Sequence, residues 1–269
     1  MKIIYFLPTL IFFISCSSIK IKELEIDHTQ DLIGNVKSLN IITSYYRFNL
    51  RDTTQTMTEK STIYFNNKNQ ILKERSSFFN ETTYNYRNDN LESTVSTNKA
   101  GISKLEYIYD KNSNVIIYNE FQNDTLFFIK TSIYDSNNNP IERTYFHPYS
   151  KNINSSEKYV YDYKNKTVII HSFDENNKLR NQYLKFFYDK RGFIIRTETI
   201  NNNSNKQITS SINEYDKLGN LIKRINYNEN NDEVIIYKNQ YDKRGNIVLR
   251  EKILKNKLIE KTIYEITYW

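Results

Sequence analysis

A Tyr-Asp pair returns along this chain at 109–110, 134–135, 161–162, 188–189, 215–216 and 241–242, at spacings of 25, 27, 27, 27 and 26 residues. A period this regular marks an internal repeat, and each unit of a repeat must bury its apolar face on its neighbours. The last three copies read Tyr-Asp-Lys-x-Gly, as 188-YDKRGF-193, 215-YDKLGN-220 and 241-YDKRGN-246; earlier copies pass the glycine position to Asn138, Asn165 and Ser113. Asp at the head of a type I turn accepts hydrogen bonds from the turn amides, and the residue that leaves the turn must tolerate positive φ. Glycine does so without strain, and Asn is next best. Of five glycines, Gly34, Gly192, Gly219 and Gly245 each follow an Asp by three residues (Asp31, Asp189, Asp216, Asp242), which leaves only Gly101 without a role. Weaker copies of the turn fall at 65-FNNKNQI-71 and 86-YRNDNL-91.

Between these turns lies a second set of Asn-rich breakers: Asn123-Asp124, Asn176-Asn177, 201-NNNSN-205, 228-NENND-232 and Asn256. One repeat therefore reads strand, polar turn, strand, Tyr-Asp turn. The intervals are rich in β-branched residues and draw on 23 Tyr and 15 Phe, which favour strands. The fold class is all-β: a long antiparallel meander of repeated hairpins over residues 30–269. Roughly eighteen strands are expected, in an open sheet that curls or twists, because sheets beyond ~10 strands rarely stay flat. Pairing Asp242 with Asn246 sets Tyr241 against Ile247, Asn239 against Leu249 and Tyr237 against Glu251, a mostly apolar face whose reverse, with Lys238, Arg250 and Lys252, is wet. On this reading Gly245 is the demanding position and Asn246 the lenient one. In the Tyr188 hairpin both faces carry large apolar groups (Phe187, Ile195 and Tyr183 against Tyr188, Ile194, Phe186 and Leu184), which predicts that the sheet curls or packs on itself there, or presents an aromatic patch, with packing the favoured cause.

The N-terminus reads separately. Residues 1-MKIIYFLPTLIFFISC-16 have one Lys, an apolar run from Ile3 to Ile14 and a small residue before Cys16, the layout of an export signal. Cys16 is the only cysteine, so no disulfide forms within the chain. Phe13-Ile14-Ser15-Cys16 resembles the lipobox of bacterial lipoproteins, with Phe13 where Leu is usual. That resemblance implies a signal peptide over 1–15, a diacylglycerol thioether on Cys16, and an anchor and linker over 16–29. It also implies an exported protein tethered to the bacterial cell envelope, at the outer membrane.

The Tyr-Asp-x-x-Gly core recurring in phase over residues 30–269 resembles the YD repeats of RHS-type proteins, whose sheets coil into shells. The chain is shorter than those proteins and shows neither a core-closing segment nor a toxin domain. It looks more like the short YD-repeat lipoproteins of Bacteroidetes-type bacteria, whose Asn-, Lys-, Ile- and Tyr-rich composition it shares; no activity comes with that likeness.

No constellation for chemistry emerges. His28, His147 and His171 are the only histidines and share no metal-ligand spacing. Catalytic, phosphate-loop and dinucleotide motifs are missing, and the evenly placed carboxylates have a turn to form. The expectation is a protein that is not an enzyme, with no cofactor and no metal. Lys and Arg total 38 against 31 Asp and Glu, a modest basic excess that suits an anionic glycan or lipid headgroups; an exported lipoprotein has no nucleic-acid partner. Tyr stacks on sugar faces while its hydroxyl hydrogen-bonds. The functional expectation is thus a binding module for a glycan or an envelope partner protein, or alternatively a structural or immunity-like protein recognised through a sheet edge. Asp52-Thr53-Thr54 and Asp124-Thr125-Leu126 resemble a short O-glycosylation motif. A membrane-spanning barrel is excluded, because Thr267, Glu265, Ile263 and Lys261 form a stripe unfit to face lipid.

Overall fold

The computed structural model describes residues 32–48, 53–77, 81–148, 153–227 and 232–269. The signal segment 1–15, Cys16, the linker 16–29, His28, Asp31, Asp52 and residues 228–231 lie outside the described residues. The chain runs through β1 (Val36–Phe48), β2 (Thr53–Phe65), β3 (Ile71–Ser76), β4 (Glu81–Arg87), β5 (Asn90–Asn98) and β6 (Gly101–Tyr109). It continues through β7 (Val115–Gln122), β8 (Thr125–Tyr134), β9 (Pro140–Phe146), β10 (Ile153–Asp162), β11 (Thr167–Asp174) and β12 (Leu179–Tyr188). It finishes with β13 (Ile194–Asn201), β14 (Gln207–Tyr215), β15 (Leu221–Tyr227), β16 (Glu233–Tyr241), β17 (Ile247–Leu254) and β18 (Lys257–Tyr268).

Each strand pairs antiparallel with the next, so the meander holds, with eighteen strands. The open sheet does not: β1 also pairs with β18, from Val36 opposite Tyr268 to Tyr45 opposite Glu260, and the meander closes into a barrel. At ~4.8 Å per strand the wall has a perimeter of about 86 Å before tilt.

The turns explain the closure. Asp110, Asp135, Asp189 and Asp242 each accept, at Oδ1, the backbone N–H groups two and four residues on, and the residue three on has positive φ. Asn66 builds the same turn, ending in Asn69 at φ 59°. Ser113, Asn138, Gly192, Gly219 and Gly245 fill the positive-φ position as the spacing predicts. Asn165 does not: the loop after Asp162 is one residue longer, and Lys166 takes positive φ (53°). The 86–91 copy is a two-residue turn, with Asn88 and Asp89 both at positive φ. Gly101, at φ 135°, lies in a turn whose amides donate to Asn98 Oδ1.

Beyond almost every Tyr-Asp turn the register slips by one residue, as between Gln240 and Tyr241, Phe187 and Tyr188, or Ile108 and Tyr109. The extra residue on the returning strand is a β-bulge, which sharpens the local twist and bends the strand. One bulge per repeat bends the sheet the same way each time, the device by which a sheet curves to closure. The slip also overturns the predicted pairing of the last hairpin: Gln240, not Asn239, faces Leu249, while Asn239 meets Arg250 and Tyr237 meets Lys252.

Most buried strand residues share the concave face, among them Leu39, Ile63, Thr94, Phe186, Asn213, Leu221, Arg250 and Tyr264; Glu198 and Ile200 are exceptions on the convex face. The convex face exposes Tyr64, Leu72, Ile108, Ile133, Val160, Ile195 and Ile263. It also carries ion pairs between Lys73 and Glu81 (2.5 Å), Lys104 and Glu106 (2.6 Å), Lys223 and Glu214 (2.8 Å), and Arg196 and Glu198. Of the causes expected for the two-faced apolar character at Tyr188, packing of the sheet on itself is not the one found. Phe187 is on the outside, with Lys185 Nζ 5.0 Å and the Arg196 guanidinium 5.2 Å from its ring centre. Cations, and not a second sheet layer, cover it.

Core packing follows the wall. One cluster joins Val36, Leu39, Ile63, Phe65 and Tyr264 across β1, β2 and β18; another joins Val168, Phe186 and Ile194 on β11, β12 and β13. The repeats are stitched by tyrosine: Tyr109, Tyr134, Tyr161 and Tyr215 donate to the carbonyls of Leu91, Val115, Pro140 and Ile194, each in the preceding unit. Tyr163, Tyr241 and Tyr268 donate instead to the carboxylates of Asp135, Asp216 and Asp242.

Candidate functional site

The bulge after each Tyr-Asp turn has a chemical result inside the barrel. Arg recurs nine residues after the Tyr in three copies, at Arg143, Arg224 and Arg250. The slipped register points these onto the concave face, opposite Ser132, Asn213 and Asn239. Arg224 Nε donates to Asn213 Oδ1 and Arg250 Nε to Asn239 Oδ1, both at 2.9 Å. Each Asn also donates from Nδ2 to a carbonyl of the preceding unit, Ile194 (3.0 Å) or Leu221 (3.3 Å). The guanidinium groups are therefore fixed through side chains that are themselves tied to the wall. Such outer partners determine how well a binding group is preorganised.

Arg224 and Arg250 line a hollow of about 350 Å³ together with Tyr45, Tyr237, Lys252, Glu260, Thr262 and Tyr264. Three cations face one carboxylate there, and that carboxylate, Glu260, lies 3.8 Å from Lys252. Burial raises the Tyr264 hydroxyl pKa, and burial followed by a hydrogen bond to Glu59 pushes Tyr45 up to about 12. Both phenols stay protonated at neutral pH. The Arg250 guanidinium lies 5.9 Å from the Tyr237 ring centre. The arrangement combines fixed positive charge, neutral hydroxyls and aromatic faces, the means to hold an anion bearing hydroxyl groups.

A second polar group lies farther round the lumen. Tyr145 and Tyr159 both donate to Glu157 Oε2 (2.8 and 2.7 Å), and the Arg143 guanidinium is 5.3 Å from the Tyr159 ring centre. Burial first, with Glu157, holds both phenols above their ordinary range. The two hydroxyls share the Glu157 carboxylate between them.

The histidines stand apart. His147 packs against Phe127 and Phe128 with Nδ1 3.2 Å from the Phe127 carbonyl, and His171 packs on Tyr183. No group of three or more potential metal ligands gathers among the described residues. Of the predicted features, the repeated aspartates do occupy turns; the tyrosines divide between inter-repeat bonds and the lumen. Arg224, Arg250 and Lys252 were placed by the sequence on a wet outer face or given no role. The spacing of nine from Tyr to Arg was the available signal, and reading it requires knowing that a bulge intervenes.

The sequence matches no protein-family profile, and no curated protein matches it. Among solved structures the chain is similar to a porin-like protein from Bacteroides uniformis, at 9% identity and a TM-score of 0.46, over 88% of this chain and 99% of that one. A porin-like protein from Bacteroides vulgatus is similar at 11% identity and a TM-score of 0.39, over 87% of this chain and 98% of that one. The TcdB2-TccC3-Cdc42 structure is similar at 11% identity and a TM-score of 0.30, over 82% of this chain and 14% of that one.

Proposed function

We propose that this protein is a non-catalytic binding barrel of the short YD-repeat lipoprotein kind, tethered to the cell envelope through Cys16, whose lumen takes up an acidic glycan. The observation that carries the reading is the hollow where Arg224, Arg250 and Lys252 meet Tyr45, Tyr237 and Tyr264. A carboxylated sugar supplies what that wall lacks: negative charge for three cations and a ring face for the tyrosines. No nucleophile with an adjacent base lines the hollow, so the site is suited to holding a ligand and not to transforming it. The sheet-edge alternative has less to work with, because each described strand has a neighbour on both sides, and the stretch of β2 before Lys60, which pairs with β1 alone among the described residues, is the edge it would need. The convex face, with its ion pairs, suits water. Charged side chains at the bilayer midplane cost ~2–4 kcal/mol each on the lipid face of a barrel, so the wall itself stays outside the membrane.

Titration with oligogalacturonides, followed by calorimetry and tyrosine fluorescence, tests the reading against neutral maltohexaose. Saturable binding of the acidic sugar alone is expected, weakened about tenfold or more by Arg224→Gln or Lys252→Gln, since a hydrogen bond to a charged group contributes ~1.5–3 kcal/mol. Equal affinity for both sugars, or binding indifferent to either substitution, would reject it.

A further inference from the structure

The rim formed by the Tyr-Asp turns has a surface that the lumenal reading leaves unused. Ile33 and Leu218 flank Gly245: a Cβ placed there would meet Ile33 Cδ1 at 3.4 Å and Leu218 Cδ1 at 3.9 Å. Both are outward, 48% and 59% exposed, and Trp269 on the same rim is 64% exposed with Lys37 Nζ 5.1 Å from its ring centre. Lys217 and Lys243 stand among them, exposed and without an ion pair among the described residues.

The carboxylates of the two turns beside Leu218 and Gly245 point the other way. Asp216 and Asp242 accept turn amides and the hydroxyls of Tyr241 and Tyr268, so the carboxylates are bound inward while the ammonium groups remain outside. Large apolar tips set among uncompensated cations are the pattern of a surface that enters the headgroup layer of a bilayer, with lysine stems along the boundary. Anionic lipids complement the charge, each Lys or Arg near the surface adding about a fivefold gain in affinity.

We infer that the Tyr-Asp rim around Ile33, Leu218 and Trp269 docks on an anionic lipid bilayer. The lumen then opens along the membrane normal, with the Asn-rich turns farthest from the lipid. This docking is independent of the lumenal glycan and of a lipid on Cys16.

The ring closes within residues 32–269, so a chain from residue 30 onward retains the whole wall and removes the apolar N-terminal run from the test. Trp269 is the only tryptophan, so its emission reports the patch alone. Vesicles of phosphatidylcholine, with or without phosphatidylserine, are added while emission and co-sedimentation are followed. A blue shift and sedimentation with the phosphatidylserine vesicles are expected, both reversed by high salt. Lys217→Ala with Lys243→Ala should weaken binding roughly 25-fold, and Leu218→Ser should weaken it at unchanged melting temperature, these being exposed turn residues. Unchanged emission with anionic vesicles, equal binding to both vesicle types, or a blue shift that grows with protein concentration in the absence of lipid would overturn the inference. The last outcome would identify a second copy of the chain as the occupant.

Discussion

Replacing Asn246 by Ala should loosen the barrel at one place, the seam between its first and last strands. Tyr268 faces Val36 as Tyr241 faces Ile247, and Trp269 N–H donates to the Asn35 carbonyl (3.1 Å) as Asp242 N–H does to that of Asn246 (2.9 Å). Gly34 has φ 93°, the same as Gly245. The seam is thus a Tyr-Asp turn cut open, with Tyr268 at one end of the chain and 31-DLIGN-35 at the other. Asn246, 3% exposed, holds the cut ends: it accepts from Ile33 N–H (2.6 Å) and donates to the Ile33 carbonyl (2.8 Å) and the Tyr268 hydroxyl (2.7 Å). Asn220 has the same place one repeat earlier, but its side chain reaches only within its own unit and the next tyrosine, with Nδ2 3.5 Å from Asp216 Oδ2.

At ~1 kcal/mol net per bond, Asn246→Ala costs about 2–4 kcal/mol and Asn220→Ala about 1–2 kcal/mol. A domain of this size loses ~2–4 °C of melting temperature per kcal/mol, so the Asn246 variant should melt roughly 2–8 °C below the Asn220 variant. Differential scanning calorimetry at neutral pH measures the gap. Equal melting temperatures would refute the reasoning, because they would mean that the two Ile33 bonds add nothing to closure. The position that the sequence suggests is lenient thus carries hydrogen bonds across the seam.

Gly219 and Gly245 have nearly the same φ (90° and 93°), but a Cβ on Gly219 falls inside 3.0 Å of the Phe193 ring while one on Gly245 meets only ordinary contacts. Gly245→Ala should therefore cost the conformational ~1–2 kcal/mol, and Gly219→Ala a further ~1–2 kcal/mol for displacing a ring stacked on Tyr215; chemical denaturation showing equal losses would contradict this. The carboxyl of Asp110 is held below its ordinary range by hydrogen bonds from Asn114, and that of Asp162 by the Asn165 amide and side chain. Burial opposes the same effect at Asp189 and Asp242, yet hydrogen bonds from Arg191 and Tyr268 among others outweigh it. Folded values below unfolded ones stabilise the fold fully above about pH 4 and are lost as pH falls through them, so melting temperature against pH should be level near neutrality and drop in acid, less steeply in Asp242→Ala. In cells, a fatty-acid analogue should label the wild-type protein and not Cys16→Ala; labelling of both would remove the lipid anchor.

What the sequence determined by itself is local. The Tyr-Asp period, the acid at the head of each turn and the Gly or Asn three residues later suffice for the hairpins and the all-β meander, because turn conformation depends on φ at a few neighbouring residues. At two of these turns the choice of Gly over Asn is already a tertiary matter: Phe193 lies over Gly219, and Arg244 Nη1 would stand 2.6 Å from a Cβ on Gly34. Closure, and with it the lumenal site, was decided only by the tertiary structure. A single bulge after Tyr241 moves Arg250 from the predicted outer face to the lumen, since side chains alternate with period two and a slip of one residue reverses the face. The same bulges, summed around eighteen strands, bring Val36 to Tyr268. Neither the sum of those bends nor the bond between Asn246 and Ile33, 213 residues apart, is written in any one window of the chain.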